Sequence, residues 1–490
     1  MKKEIFRMER VTYREDEVTL LEDFNIRIYQ GEILGLLPVN GHGLPAFLKL
    51  LETNLPLHDG YIYYGGERIN SWKESRRTPN RISVIGAQNR LVEALSVTDN
   101  IFVLRQGFRQ EIVRTGLLKK QLAPFLEDIG MDISADVPVE RLPAFERVVL
   151  ELLRAVVLGC RLIVLNEIGM LISYEELEKL HIILRHYAKQ GFSFLYICPH
   201  YEEVAQICEK CALLSHGRIL KIVQRDDMME EILKLYTAEY ERMVRYRLEK
   251  RAEQPPKERR VFHIPGLRDV QGRDISAAVY EGECLAVQIL ENDVFLQVCD
   301  MLLGSESFSD SDRRARMRRG RNAGQSIAVV PELATKTMLF PGLSYMENLC
   351  ISLSMRVPSL WREASIRRSI MQEYGETLGP EVFHMPVEEL SERQKYQLIY
   401  TRILLGRPDV VFCIQPFKGA DLSHRMFIWK MLEMLLNHGI AVVMLTLSLS
   451  DSLSLADRLI IVGKDGGREI LRKDFAAIPE IVPWMFLYRE

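Results

Sequence analysis

The sequence has no long uninterrupted run of apolar residues, although hydrophobic residues make up 47% of it. A membrane-spanning helix needs about 18 such residues in a row. The most apolar stretch, near 148–165, is broken by Glu151, Arg154 and Arg161. The N-terminal Met1-Lys2-Lys3-Glu4 is basic, but no apolar region follows it, which argues against a signal peptide. We therefore expect a cytoplasmic protein without a membrane span.

The sequence also has few cysteines and a small net charge. The eight cysteines are scattered, and only Cys208 and Cys211 form a CxxC pair, without a second pair or a histidine cluster beside it. This spacing argues against a disulfide framework and against a zinc site. The chain has 64 Lys and Arg against 67 Asp and Glu, so its net charge of −3 gives no reason to expect nucleic-acid binding. The one strongly basic run, 313–321, is expected to be a solvated loop.

What the chain does have is an internal repeat, in which three landmarks recur in the same order at nearly one offset. They are Gly31-Glu32 with Gly282-Glu283, Leu95-Ser96 with Leu343-Ser344, and Gly217-Arg218 with Gly467-Arg468. The offsets are 251, 248 and 250 residues, which predicts a tandem duplication. A charged amphipathic pattern and a polar, Pro-containing stretch follow the first copy. We therefore predict a first domain over 1–225, a charged helix and linker over 226–260, and a second domain over 261–490.

Each copy alternates strands and helices. In the first, 33–37 is an apolar run of strand length, 40–43 is a Gly-containing turn, and 46–51 has a helical pattern. Residues 162–165 and 194–197 are continuous apolar runs, which are typical of buried parallel strands. This order predicts an α/β fold, in which a Gly turn between strand and helix can bind phosphate.

The order and spacing of these motifs resemble the duplicated ATP-binding subunit of bacterial ABC importers for ribose- and galactoside-type sugars. The resemblance covers nearly all of both halves. Its framework positions are Gly31-Glu32-Ile33, Asn40-Gly41, Gly43, Gln88, Leu95-Ser96-Val97, Asn100-Ile101-Phe102, residues 162–167, Gly217-Arg218, Val330-Pro331-Glu332, Leu343-Ser344, Leu390-Ser391 and Asp457-Arg458. It implies two tandem ABC-type ATP-binding-cassette domains, P-loop NTPase-like in fold, that form an intramolecular pseudo-dimer. It also implies docking on membrane permease subunits at the inner face of the cell membrane.

The first phosphate loop, 38–45, departs from the pattern GxxxxGK[ST] that the resemblance implies. Leu44 replaces its lysine and Pro45 its serine, so the loop offers neither a cation for phosphate nor a hydroxyl for Mg²⁺. The acidic strand end has Asn166 in place of the Asp, and only Glu167 remains as a vestigial catalytic acid. The remaining glycines of the loop are also explained by a tight turn before a helix.

The other catalytic motifs of the first half are degenerate as well. Pro199 stands where the family has its switch histidine, and His200 is one residue late. The first signature segment has Pro143 and Phe145 where the family has Ser and Gly. The family's nucleotide sites pair the loop of one half with the signature segment of the other, so these changes affect both sites.

The second half departs further from the pattern. Its phosphate-loop window, 289–296, contains no glycine, and Ile414-Gln415-Pro416 has lost both carboxylates. Leu447 occupies the switch position. Only the second signature segment, Leu390-Ser391-Glu392-Arg393-Gln394, is partly preserved, with Glu392 and Arg393 in place of its two glycines.

We therefore expect a subunit with lost or strongly impaired ATP hydrolysis, which acts as a structural or regulatory partner of a membrane permease. At most weak ATP binding is expected, without Mg²⁺ and without any metal site. Candidate nucleotide-binding residues are Tyr13, where the family stacks an aromatic ring on adenine, together with Asn40, Gly41, Gly43, Gln88 and Ser391. Two alternatives stay open: an active ATPase that powers sugar-type import, and a soluble nucleotide sensor.

The partner prediction rests on two segments. In the family, a groove after the glutamine of each half receives a short permease helix, and the matching segments here are 89–102 and 333–351. Their apolar side chains are Leu91, Val92, Leu95, Met338, Leu339, Phe340 and Leu343. We predict that the permease docks on them; the alternative is that they fill each domain's own core.

Overall fold

The computed structural model describes residues 3–70, 82–86, 90–103, 115–228, 247, 259–264, 277–290, 294–299, 326–354, 360–447, 449, 452–463 and 466–477. The chain divides into two units, Met1–Thr237 and Ala238–Glu490. Gln88, the basic run 313–321 and most of the predicted linker lie outside the described residues. Within the described residues, no helix has both the length and the apolar character that crossing a membrane requires.

Strands and helices alternate in the first unit. Its described strands are β1 (Glu4–Glu15), β2 (Val18–Tyr29), β3 (Ile33–Pro38), β4 (Asp59–Tyr64), β5 (Glu67–Arg68), β6 (Ile82–Ile85), β7 (Leu162–Asn166), β8 (Ser193–Ile197), β9 (Lys210–Ser215) and β10 (Arg218–Gln224). Its described helices are α1 (Leu44–Glu52), α2 (Thr115–Asp128), α3 (Ala144–Val157), α4 (Tyr174–Lys189) and α5 (Tyr201–Ile207).

The described strands of the first unit form two sheets. The smaller has the order β2-β1-β4-β5 and the larger the order β10-β9-β3-β8-β7-β6. Strand β3 pairs in parallel with β8, and β8 with β7, so the carboxyl ends of these strands lie at one edge. One apolar cluster joins β1, β2 and α1 to this sheet, and the tilted rings of Phe24 and Phe47 contact each other in it with centroids 4.8 Å apart. A second cluster packs α3 and α4 on the sheet.

The second unit has the same alternation. Its described strands are β11 (Arg260–His263), β12 (Ala278–Tyr280), β13 (Cys284–Ile289), β14 (Ile327–Val330), β15 (Val410–Ile414), β16 (Ala441–Thr446), β17 (Arg458–Gly463) and β18 (Gly466–Leu471). Its described helices are α6 (Ala334–Thr337), α7 (Tyr345–Ser354), α8 (Leu360–Leu378), α9 (Glu392–Gly406), α10 (Leu422–Asn437) and α11 (Ser452–Leu455).

The large sheet has one strand order in both units. The order β14-β15-β16-β13-β17-β18 matches β6-β7-β8-β3-β9-β10 strand for strand. In each unit the last two strands form an antiparallel hairpin, while the strands before them pair in parallel. The repeat in the sequence thus has a counterpart in the topology of each unit.

The elements predicted around the phosphate loop are confirmed. Residues 33–37 lie in β3, 46–51 in α1, 162–165 in β7 and 194–197 in β8. Every residue of β8 and all but the last of β7 are buried. Continuous apolar runs form such strands because helices cover both faces of a parallel sheet.

Arg247 is a buried cation of the second unit, although it falls in the range predicted as helix and linker. Its side chain is 1% exposed and forms an ion pair with Glu433. The guanidinium also lies 3.7 Å from the Asp457 carboxylate and donates a hydrogen bond of 2.6 Å to the Leu455 carbonyl. A buried charge is stable only when such partners satisfy it, so Arg247 is part of this unit's fold.

The cysteines are core residues. All eight are buried, and none forms a disulfide. Burial raises the pKa of the Cys211 thiol to about 12, so this thiol stays protonated at neutral pH.

Candidate functional site

Asn40 anchors the first phosphate loop, which connects β3 to α1. Its Nδ2 donates a hydrogen bond of 3.1 Å to Ser215 Oγ, and its Oδ1 accepts one of 3.0 Å from the His216 N–H. The same Oδ1 accepts a bond of 3.3 Å from the His42 N–H. The loop is therefore held against the turn between β9 and β10 by its own side chain.

Gly43 fixes the shape of the loop where α1 begins. Its φ of 84° is left-handed, and a Cβ there would lie 2.5 Å from the Leu20 carbonyl oxygen, so only glycine fits. The Leu44 N–H bonds the Gly41 carbonyl at 3.4 Å, and Pro45 has no N–H. Since the His42 N–H is also bonded within the loop, neither it nor the Leu44 N–H is available to a phosphate.

Tyr13, the candidate adenine-stacking residue, is buried in β1. It is 7% exposed, and its hydroxyl donates a hydrogen bond of 2.8 Å to Glu15 Oε1. The same oxygen accepts a bond of 2.5 Å from Lys49 Nζ, which lowers the pKa of Glu15, while burial raises the pKa of Tyr13. The ring packs against the core and the hydroxyl is used by its own strand, so little of the ring is left for a base.

The acidic strand end of the first unit consists of Asn166 and Glu167. Glu167 has a left-handed φ of 55°, and its N–H donates to the Ile197 carbonyl at 2.8 Å. Asn166 Oδ1 is buried and has no hydrogen-bond partner. In the described parts of the chain, no group of three or more His, Cys, Asp or Glu side chains is arranged to hold a metal ion. A neutral amide and a loop without a cation do not fit a Mg²⁺–triphosphate group.

A buried polar cluster beside this strand end was missed by the sequence analysis. Tyr196 donates a hydrogen bond of 2.5 Å to Glu203 Oε1, and His181 Nε2 lies 3.3 Å from the Tyr196 hydroxyl. Burial raises the pKa of Glu203 and lowers that of His181 to about 4. A Cβ on Gly169 would overlap the Glu203 carboxylate, so the turn after Glu167 lies directly against this group. The cluster joins α4, β8 and α5, and its one signal in the sequence is a histidine within the apolar pattern of α4.

The two signature segments use their residues to begin helices. Pro143 begins α3 without a side-chain cap, and Phe145 is buried. Burial also raises the pKa of Glu146. Ser391 begins α9, and its hydroxyl accepts a hydrogen bond of 3.4 Å from the Gln394 N–H while Gln394 Oε1 accepts one of 2.9 Å from the Ser391 N–H. This capping box accounts for the retained serine without a nucleotide.

The strand end of the second unit has a different set of polar partners. Gln415 has a φ of 43°, and its N–H donates to the Leu445 carbonyl at 2.8 Å, as Glu167 does in the first unit. Glu332 Oε1 accepts a hydrogen bond of 2.6 Å from Gln415 Nε2, and Glu332 Oε2 one of 2.7 Å from Lys418 Nζ. In the predicted phosphate window Phe295 is buried, and residues 291–293 lie outside the described ranges.

Asn100 shapes the predicted docking segment of the first unit. The side chain is fully buried, and its Nδ2 donates to the carbonyls of Val92, Leu95 and Ser96 at 3.1, 3.3 and 3.0 Å. Its Oδ1 accepts a hydrogen bond of 2.7 Å from the Val92 N–H. Arg154 supports the same segment by donating to the Arg90 carbonyl at 2.9 Å.

Asn348 repeats this arrangement in the second unit. Its Nδ2 donates to the carbonyls of Phe340, Leu343 and Ser344 at 3.0, 3.2 and 3.1 Å, and its Oδ1 accepts from the Phe340 N–H at 2.9 Å. Arg402 donates to the Met338 carbonyl at 3.0 Å, as Arg154 does to Arg90. Each of these partners lies 248 residues after its counterpart.

The apolar side chains of the two segments divide into core and surface. Val92 is 43% exposed, Phe340 53% and Leu343 36%. Leu91 and Leu339 are buried, so the prediction that they are available to a partner is wrong. Both lie one position before an exposed residue, Val92 and Phe340. Leu95 and Met338 are half-buried.

Comparison with known proteins agrees with this architecture. Residues 21–168 match the family model described as ABC transporter. A ribose import ATP-binding protein of Geobacillus kaustophilus is 24% identical over 473 residues, which cover 93% of this chain and 94% of that protein. A xylose import ATP-binding protein of Pseudomonas savastanoi is 25% identical over 507 residues, which cover 96% of this chain and 94% of that protein.

Solved structures with similarity to this chain are also found. An ATP-binding cassette of an ABC transporter in its ADP conformation has a TM-score of 0.41 and 15% identity, and the match covers 48% of this chain and 98% of that one. The family-model match and the strand order confirm the predicted α/β, ABC-type ATPase fold.

Proposed function

We propose that this chain is the ATP-binding-type subunit of a sugar-class ABC importer, that it hydrolyses ATP negligibly, and that it anchors or regulates a membrane permease. One contrast carries the proposal. The asparagine-centred docking segments are the same, bond for bond, in both units. The first unit has Leu44 and Asn166 where phosphate and Mg²⁺ need a cation and a carboxylate, and in the second unit Lys418 neutralises the Glu332 carboxylate. The full-length relatives named for ribose and xylose import support the sugar class.

The same proposal covers the domain organisation. The first domain is 1–225, the connecting helix and linker 226–260, of which Arg247 is buried in the second unit, and the second domain 261–490. The two domains arose by tandem duplication and form an intramolecular pseudo-dimer. The equal strand order of the two large sheets supports the duplication.

Nucleotide binding, where it occurs, is weak and independent of Mg²⁺. Asn40, Gly41 and Gly43 keep a turn of the right shape, and Gln88, Tyr13 and Ser391 complete the candidate set. The local bonds of Tyr13 and Ser391 oppose tight binding, because a nucleotide must compete with Glu15 and with the cap of α9. Glu167 remains as a vestigial catalytic acid.

Recovery of the protein with native membranes tests the docking proposal. Val92→Asp and Phe340→Asp place a charge on exposed positions of the two segments and should release the tagged protein from a multi-span permease chain. Ile182→Asp is the matched control, since Ile182 is an apolar side chain of α4 that is 66% exposed. Circular dichroism checks that each variant is folded.

Two results would count against this function. Equal membrane recovery of the docking variants and the Ile182→Asp control would show that the exposed residues of these segments do not bind the permease. Recovery of soluble partners alone, with normal binding of ATP, would favour a nucleotide sensor instead. Leu91→Asp is not a suitable variant, because Leu91 is in the core and a buried carboxylate would unfold the unit.

A further inference from the structure

The carboxyl edge of the second unit's sheet contains its own cation. Glu332 follows β14, and Gln415 and Lys418 lie in the turn after β15. Glu332 binds both of them, at 2.6 Å and 2.7 Å, and the Lys418 N–H donates to the Gln415 carbonyl at 3.0 Å. The Lys418 side chain is 15% exposed and that of Glu332 34%, so the pair is partly shielded from solvent.

The first unit has no equivalent of this lysine. Lys418 lies three residues after Gln415 and three before Asp421, which caps α10. The residue with the same spacing between Glu167 and Ser173, the cap of α4, is Met170. A carboxylate at the edge of a parallel sheet is a ligand type that Mg²⁺ prefers, and in the second unit an ammonium group neutralises it instead.

The same contacts hold the start of the second docking segment. Leu333, directly after Glu332, has a left-handed φ of 49° and packs against Gly419, where a Cβ would lie 3.0 Å from Leu333 Cδ2. Thr337 Oγ1 donates to the Glu332 carbonyl at 3.3 Å. Farther along the segment, Arg402 and Asn348 bind its carbonyls. The ion pair is thus the first of several fixed points along 332–344.

We propose that Lys418 is a built-in cation that holds the second docking segment in place without metal or nucleotide. The segment is permanently set, and its conformation does not respond to Mg²⁺ and ATP. That the segment docks on a permease rests on the proposed function, whereas its fixed conformation is a property of the isolated protein.

Amide hydrogen exchange of the full-length protein, without permease, tests this. In the wild type, exchange in residues 333–343 should be the same with and without Mg²⁺ and ATP. Lys418→Met should raise exchange there about five- to tenfold, because Glu332 loses its cation and the turn its anchor. Lys395→Met is the control, since Lys395 is 19% exposed and forms a Lys–Glu pair of 2.9 Å with Glu392 of the same helix, and it should change exchange in 333–343 less than about twofold.

A charge swap covers the case in which Lys418→Met unfolds the whole unit, which exchange in β16 would show. The double variant Glu332→Lys with Lys418→Glu restores an ion pair, and the Gln415 amide can rotate to present its oxygen. Restored protection of 333–343 supports the proposal. Failure of the swap to restore it, unchanged exchange in Lys418→Met, or a wild-type response to Mg²⁺ and ATP each overturns it. Because no permease is present, any of these leaves the docking proposal to its own membrane test.

Discussion

Replacing Asn348 by alanine should destabilise the second unit strongly, because one buried side chain closes a whole segment. The substitution leaves three carbonyl oxygens and one N–H without the side-chain partner they have now. A net hydrogen bond contributes about 1 kcal/mol, and a buried group left unsatisfied costs about 1–3 kcal/mol. Water can reach part of the opened loop, so we expect a loss of roughly 3 kcal/mol, or about a hundredfold in the folded-to-unfolded ratio.

Denaturant unfolding followed by hydrogen exchange in each unit measures this loss. Asn348→Ala should lower protection in the second unit, and Asn100→Ala should lower it by a similar amount in the first. Asn25→Ala is the control, since Asn25 also bonds the main chain but is exposed, and it should cost less than about 0.5 kcal/mol.

Two results would refute the reasoning. A loss under about 1 kcal/mol for Asn348→Ala would mean that water replaces the amide without penalty. An equal loss of protection in both units from either variant would mean that the effect is not local to the segment.

Three further predictions follow from other sites. Phosphate release with Mg²⁺ and ATP should be at background, and Leu44→Lys should leave it there because one ammonium does not restore the missing hydroxyl and carboxylate; turnover near 1 s⁻¹, roughly the usual enzyme range, would contradict this. The His424 Nδ1 lies 2.8 Å from Asp421 Oδ1, and this side-chain hydrogen bond raises the pKa of His424, so the stability it contributes is full below about pH 6.5 and is lost as pH rises through the raised value. Urea midpoints of wild type and His424→Gln should therefore differ at pH 5.5 and converge at pH 8.5, and a constant difference would show that the titration plays no part. Arg247→Met should lower the second unit's free energy of unfolding by about 3 kcal/mol, because the Glu433 carboxylate loses its cation; unchanged denaturation would show that solvent satisfies it.

The fold was predictable from local pattern because its central strands are continuous apolar runs between turn residues. Residues 162–165 and 194–197 are such runs, and they lie in β7 and β8. The strand, Gly turn and helix over 33–51 were also predictable from local pattern. Gly43 in the turn has the left-handed φ that a residue with a Cβ avoids.

The sites were less predictable because they depend on contacts between residues far apart in sequence. Glu332 and Lys418 are separated by 86 residues, and no local pattern indicates that they pair. The burial of Leu91 beside the exposed Val92 has a different cause. In an irregular segment no helical or strand period shows which side chain turns inward.

Arg247 also determines where the polypeptide can be cut. The sequence places the start of the second domain at 261, yet a separate half that began there would leave out the guanidinium that Glu433 and the Leu455 carbonyl bind. A cut between Thr237 and Ala238 keeps it. Halves expressed from two plasmids, or a circularly permuted gene, should therefore be divided between Thr237 and Ala238. A second half that begins at 261 should stay soluble only when it is co-purified with the segment that contains Arg247.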